Sequence, residues 1–245
     1  MIDTIAGRNP VVEALRAGRP VNKILMARGA GHHPVIGEIL ALARAGRIPV
    51  ETVNREALDR ASGGGAHQGV IAYAAAKDYL ALDDLFDVSQ ERGEPALYCV
   101  LDGIEDPHNL GAIIRTADAS GFHGVVVRAR RAAGLTAVVA KASAGAVEYV
   151  PVARVANIAQ AVETLKKNNV WVVGIDAEGR AGFVDIDFTL PTAVVIGAEG
   201  EGLSDLVKKR CDYLASIPMK GRISSLNASV AAALVMYEAL RQRSR

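Results

Sequence analysis

From residue 96 onward, short and almost continuously apolar runs alternate with helical patterns, and this alternation constrains the fold more than any other feature of the chain. The apolar runs cover residues 97–101, 125–127, 150–152, 170–175, 193–196 and 214–217; the helical ones cover 111–120, 136–144, 158–167, 204–210 and 228–241. Strands that are apolar on both faces need cover on both faces, so the pattern predicts an α/β domain with a parallel sheet between helical layers. No repeat or low-complexity tract interrupts it.

The residues before it predict a second, smaller α/β unit. Asn9-Pro10 starts a helix, with Asn as N-cap and Pro at the first helical position, and Gly18 ends it after Val11, Ala14 and Leu15 have formed an apolar face. Strand 22–27, helix 34–45, strand 48–53, helix 55–61 and strand 70–75 follow. The glycine-rich stretch 62–69 reads as a flexible loop whose His67 and Gln68 are either RNA contacts or merely solvated. Residues 77–95 are polar, with one amphipathic segment around Leu80, Leu82, Leu85 and Phe86, and read as a linker. The expected organisation is therefore 1–76, linker 77–95 and 96–245.

At 245 residues, 50% hydrophobic and 22% charged, the chain can bury one large core or two modest ones. No apolar run approaches the ~18 residues of a membrane span, and the start lacks a basic region followed by an apolar stretch, so a soluble cytoplasmic protein is expected. Cys99 and Cys211 make neither a metal cluster nor a disulfide framework and read as reduced and structural. A net charge of +1 gives no global attraction to nucleic acid, so an RNA site requires local clusters. Arg128, Arg130 and Arg131 supply one; Arg241, Arg243 and Arg245 supply another. Each is otherwise a solvated strand end or tail. Aromatics at 4% leave few stacking platforms, so recognition would lean on phosphates, shape and an extruded nucleotide.

An ordinary dinucleotide fold places glycines as G-x-G-x-x-G after its first strand. Here the glycine-rich Gly197-Ala198-Glu199-Gly200-Glu201-Gly202 comes late, in another order, and its two carboxylates would repel a pyrophosphate. Two further segments accompany it. Residues 102–117 read DGIEDPHNLGAIIRTA, and 217–229 read IPMKGRISSLNAS, a strand ending at proline, a glycine-bearing loop, and Ser225, Asn227 and Ser229 placed to cap a new helix.

In this order, the three segments resemble the motifs of the SpoU (TrmH-like) branch of the SPOUT RNA methyltransferases. The agreement of three separated motifs makes the match specific. The likeness extends over the whole chain, because the first 75 residues resemble the substrate-binding domain of many members. In layout it is nearest to the 23S ribosomal RNA guanosine-2′-O-methyltransferases. The resemblance implies a sheet whose C-terminal part is threaded as a deep trefoil knot, preceded by a small α/β domain like ribosomal proteins that bind kinked RNA. It also implies S-adenosylmethionine (SAM), no metal, and a homodimer whose interface uses Val230, Leu234 and Tyr237 of the last helix.

By the same resemblance, the backbones of Gly197, Ile217 and Leu226 hold adenine and ribose, Met219 lines the apolar slot, and Asn227 and Ser225 position the nucleotide or the methionine end of SAM. Ile217 and Leu226 are equally ordinary core residues. Asn109 and Arg115 are the catalytic candidates, with Glu199 orienting Arg115 or bonding Asn109; Glu199, Ser225 and Asn227 otherwise satisfy backbone groups around the crossing. If the helix begins near Gly111, Asn109 lies on the preceding loop and both face one pocket; alternatively Asn109 caps the helix and Arg115 pairs with Asp118 or Glu105. A guanidinium is a poor base, so Arg115 is read as a fixed cation that lowers the pKa of the 2′-hydroxyl, with a substrate phosphate or water taking the proton. His108 is a tempting base, but the motif tolerates other residues there. Lys141, followed by small residues, is a phosphate contact or part of a helix packing face. The expected substrate is a guanosine of 23S ribosomal RNA. The alternatives are transfer RNA, or a non-catalytic RNA-binding ribosome-assembly factor.

Overall fold

The computed structural model describes residues 2–30 and 33–244. Its contacts divide into two units, one reaching to Asp78 and including Gly134–Tyr149, the other formed by Tyr79–Ala133 and the chain from Val150 onward.

In the first unit, β1 (Ile2–Ala6), α1 (Arg8–Arg16), β2 (Val21–Ala27), α2 (Pro34–Ala45), β3 (Val50–Val53), α3 (Arg55–Ala61) and β4 (Val70–Ala75) build a sheet of order β1-β4-β2-β3. β4 is antiparallel to β1 and β2, while β2 and β3 run parallel. Alternation decides which helix covers which face. Ile24, Met26, Val70 and Ala72 pack with Val11 and Ile36 of α1 and α2, whereas Leu25 and Ile71 pack with Leu58 of α3.

Two local expectations are corrected here. α1 is capped not by Asn9 but by Gly7, whose φ of 112° favours glycine. The first free amide, Arg8 N, donates to Gln68 Oε1 at 3.1 Å, so the cap arrives from sixty residues away. His67 is neither solvated nor available to RNA: it is 3% exposed, with Nε2 2.9 Å from Asp59 Oδ1 and Nδ1 accepting Gly69 N at 3.0 Å.

The second unit continues with α4 (Asp84–Arg92), β5 (Leu97–Asp102), α5 (Pro107–Ala119) and β6 (Gly124–Arg128). The chain then gives α6 (Ala137–Ala142) to the first unit and returns as β7 (Val152–Val155), α7 (Ile158–Lys167), β8 (Trp171–Ile175), β9 (Ala181–Gly182), β10 (Thr192–Gly197), α8 (Asp205–Arg210), β11 (Tyr213–Ser216) and α9 (Ala228–Arg243). The sheet order is β7-β6-β5-β10-β8-β11-β9, and every pairing is parallel. Of residues 77–95, read from sequence as linker, Tyr79 onward pack into this unit: Leu80 bridges Ala153, and fully buried Leu85 lies so close to Gly124 that a Cβ there would stand 2.7 Å from its methyl.

The detour through α6 buries Val139, Ala140 and Val147 and is also tied down by charge. Glu148 is buried, and a buried carboxylate needs a partner. Arg19 supplies it, donating to Glu148 Oε1, Asp3 Oδ2 and Ala75 O, each at 2.8 Å. Lys77 Nζ donates to Glu148 O at 2.9 Å, and burial pushes its pKa down. Tyr149 Oη closes the segment on Glu13 at 2.6 Å. Lys141 is exposed on α6.

Among the described residues, no helix is long and apolar enough to cross a membrane.

Candidate active site

Parallel strands deliver their following loops to one edge of the sheet, and β5 and β10, far apart in sequence, are neighbours there. β5 ends at Asp102, whose Oδ2 accepts Ser204 N at 2.9 Å and Ser204 Oγ at 2.7 Å, which pins the loop after β10 to the end of β5. That loop is closed by reciprocal backbone bonds between Ala198 and Gly202, 3.1 and 2.9 Å. A Cβ on Gly197 would stand 2.2 Å from the Gly202 backbone, so glycine is required by this close approach.

α5 starts earlier than the hydrophobic pattern suggests. Asp106 is the N-cap, accepting His108 N at 2.9 Å, and Pro107 is the first helical residue. Asn109 therefore lies in the first turn rather than on a preceding loop or at the cap, and is 7% exposed. Its Nδ2 donates to Glu199 Oε1 at 3.1 Å, and its Oδ1 accepts Asn227 Nδ2 at 3.0 Å. Asn227 Nδ2 also bonds Glu199 Oε1, which further accepts Ala228 N at 3.4 Å. Asn227 Oδ1 in turn caps α9, accepting Ser229 N at 3.0 Å and Val230 N at 3.3 Å. The Glu199 carboxylate thus sits at a helix N-terminus, where the backbone dipoles favour a negative charge. Each of the three motifs contributes one side chain. Beside them opens a cleft of about 270 Å³ lined by Gly103, Ile104, Asn109 and Ala198 and by the carboxylates Glu105, Asp106, Glu199 and Glu201.

Arg115 is not part of this network. Six residues beyond Asn109, it lies about 9 Å along α5 and about 120° around it. Its side chain is exposed and, among the described residues, makes no hydrogen bond or ion pair. Within one chain, the shared pocket expected for Asn109 and Arg115 does not form.

The turn 217–227 carries Ile217 half-buried, and Met219 and Leu226 at 39% and 36% exposure, so apolar surface is open to solvent immediately before Asn227. Ser225 is exposed and outside the network. Arg128, Arg130 and Arg131 are exposed, with no acidic partner among the described residues. The C-terminal arginines are engaged instead. Arg241 pairs with Glu238 at 2.7 Å. Arg243 donates to Phe188 O (2.7 Å), Pro95 O (2.5 Å), Ala96 O (3.1 Å) and Leu190 O (3.0 Å), and burial pushes its pKa down. Arg245 lies outside the described residues. Cys99 and Cys211 are free thiols whose pKa values burial raises, for Cys211 to about 12. Among the described residues, no cluster of His, Cys, Asp and Glu could hold a metal ion.

The chain is similar to known proteins over both units. Residues 96–237 match the SpoU rRNA Methylase family, and residues 4–80 match the RNA 2′-O ribose methyltransferase substrate binding family. A Bacillus subtilis (strain 168) protein named as a TrmH family tRNA/rRNA methyltransferase, YacO, is 47% identical over 98% of this chain and 96% of its own. Among solved structures, the SpoU methyltransferase AviRb from Streptomyces viridochromogenes in complex with AdoMet superposes with a TM-score of 0.82 at 31% identity, covering 99% of this chain and 91% of that one. The AdoMet-bound rRNA methyltransferase from Sinorhizobium meliloti gives 0.78 at 26% identity, covering 98% and 87%.

Proposed function

The chain belongs to the SpoU rRNA methylase family, and from that premise we propose that it is a SAM-dependent methyltransferase acting on a ribose 2′-hydroxyl in RNA. The observation that carries this reading is the bonding of Asn109, Glu199 and Asn227 across 90 and 118 residues of sequence, at the C-terminal edge of a parallel sheet.

The donor set fits SAM. The loop from Gly197 presents backbone rather than side chains, and Met219 and Leu226 leave apolar surface for an adenine face. Once bound, the cofactor supplies an electrophilic methyl group without a metal. The protein must hold the ribose and make its oxygen a nucleophile. Asn109 is rigid because both ends of its amide are bonded, and Glu199 locks Asn227 and the start of α9. Arg115, unbonded within one chain, acts as a cation on the substrate, favouring loss of the 2′-hydroxyl proton to a substrate phosphate or water. Arg128, Arg130, Arg131 and Lys141 contact RNA phosphates.

A homodimer belongs to this reading. α9 buries Ala232, Val235, Met236 and Ala239 on one face, yet on the other leaves Val230, Leu234 and Tyr237 at 47%, 42% and 52% exposure. A helix apolar on all sides calls for cover on all sides. α5, which carries Arg115, packs against α9, so a second copy docks on the layer that holds this cation. The reading also includes a knotted C-terminal threading of the sheet, a cytoplasmic location, and a guanosine of 23S ribosomal RNA as target, recognised through the first unit.

Radiolabelled methyl transfer to unmodified large-subunit ribosomal RNA and to transfer RNA, followed by nuclease digestion and mass analysis of the nucleosides, tests it. Label on a 2′-O-methylguanosine of ribosomal RNA is expected. Label confined to transfer RNA overturns the substrate, a methylated base overturns the chemistry, and calorimetry without SAM binding would leave only an RNA-binding factor.

A further inference from the structure

Outside the cleft, a half-buried tyrosine and an exposed arginine meet at the edge of the second unit's sheet. Arg154 lies on β7, the edge strand of the second unit's sheet, with its guanidinium carbon 4.4 Å from the centroid of the Tyr79 ring. The side chain is exposed and has no acidic partner among the described residues. Backbone bonds hold the same segment independently of this contact, Leu80 N donating to Val152 O at 3.0 Å and Arg154 N to Leu80 O at 3.1 Å.

Its neighbours extend the pattern. In the parallel register Arg154 stands opposite Val127, and Arg128 opposite Val155, so the two arginines leave opposite faces of the sheet but stand at the same C-terminal edge, one step apart on strands about 4.8 Å from each other. Arg130 and Arg131 follow on a loop tied to β7 by Ala129 N to Val155 O (2.8 Å), and to the cleft wall by Ala133 N to Ile104 O (3.0 Å). Four arginines with no acidic partner among the described residues therefore stand along the edge of the sheet where β7, β6 and β5 end, between the Arg154 stack and the cleft beside Asn109, in a chain whose net charge is only +1.

We propose that Tyr79 and Arg154 form a nucleotide platform that holds the RNA flanking the target, with Arg128, Arg130 and Arg131 following the phosphates between platform and cleft. This rests on the reading of the substrate as RNA. A guanidinium held over one ring has its other side to offer to a base and its N–H groups to a phosphate. An acidic peptide would use the charges but has no use for the stack. Tyr79 already holds the Arg154 guanidinium over its ring, so the pair exists before RNA arrives.

The test uses the full chain, SAM and an in vitro transcript of large-subunit ribosomal RNA, with methyl transfer, transcript binding by fluorescence anisotropy, and thermal unfolding measured in parallel. Arg154→Ala is expected to raise KM and Kd for the transcript roughly 10-fold, while kcat, SAM affinity and Tm stay unchanged. Arg154→Lys keeps the charge but loses the plane, and should be nearly as impaired. Tyr79→Phe should behave as wild type and Tyr79→Leu should resemble Arg154→Ala. An unchanged KM and Kd in Arg154→Ala overturns the platform; full rescue by lysine reduces it to a phosphate contact and overturns the stack. A lower Tm with unaltered KM means that the contact is structural only, and competition by polyglutamate as effective as by RNA overturns the choice of partner. If the wild type methylates no RNA, the proposed activity fails, and the binding of wild type and Arg154→Ala to the transcript still decides the platform.

Discussion

The two arginine clusters look alike in sequence and opposite in structure. Arg128, Arg130 and Arg131 stand in water with no acidic partner among the described residues, whereas Arg241 is held by Glu238 and Arg243 is spent on four backbone carbonyls of the loops preceding β5 and β10. A cluster of cations therefore says little about nucleic acid until its partners are counted. A charge already bonded to carbonyls secures the end of a helix; an unbonded one remains available to a phosphate. Arg115 falls on the unbonded side.

The largest effect expected from this division is at Arg115. Arg115→Ala should lower single-turnover methyl transfer about 100- to 1000-fold, as removal of one electrostatic contact to the reacting group does, with SAM affinity within a few-fold and Tm unchanged. A wild-type rate would remove Arg115 from the chemistry and break the link between an unbonded cation and function.

Arg243→Ala should do the reverse. Hydrogen bonds from a charged donor contribute about 1.5–3 kcal/mol each, far from additively, and four carbonyls lose their partner together. A loss of about 3 kcal/mol in urea unfolding is expected, with RNA affinity per folded molecule unchanged. Weakened RNA binding at full stability would show that the C-terminal cluster had been misassigned. The corresponding change on the open side is smaller: Arg130→Ala or Arg131→Ala should each reduce the salt slope of RNA binding by about 1, with no change in unfolding.

What was legible in the sequence follows the same division between local and distant causes. α2, α3 and α7 have their expected bounds, and Asn54 and Asn157 cap the latter two from adjacent positions. The start of α1 was not legible, because its amide partner is Gln68. Nor was the allegiance of residues 134–149, which Arg19 and Glu13 decide from more than a hundred residues away. Asp106-Pro107 was a readable start for α5, outweighed by the apolar pattern from Gly111 onward. Asn109, Glu199 and Asn227 could be singled out by the order of three motifs, but their meeting depends on β5 and β10 becoming neighbours, which no local periodicity encodes. The position of Arg115, about two turns of helix from Asn109, followed only once the first turn of α5 was known.

The smallest expected effect sharpens the bonded side of the comparison. His123 is fully buried near Arg243: Nδ1 accepts Leu97 N at 3.0 Å and Nε2 lies 3.1 Å from Glu94 Oε2. An Nδ1 that accepts an amide proton cannot carry one, so the fold requires the neutral ring with its proton on Nε2, donated to Glu94. Burial lowers the His123 pKa first, the charges of Arg92 and Arg243 lower it further, and Glu94 opposes them. Because the folded value lies below the unfolded value of about 6.5, this group stabilises the fold above that pH, and the contribution is lost as pH falls through the folded value. Urea unfolding followed from pH 7.5 down to 5.5 should therefore show less acid sensitivity in His123→Gln than in wild type. Arg243→Met should fall between them, since it removes one of the cations that oppose protonation of the ring. Equal acid sensitivity in wild type and His123→Gln would mean that other groups set the pH dependence and that Arg243 acts on the carbonyls alone.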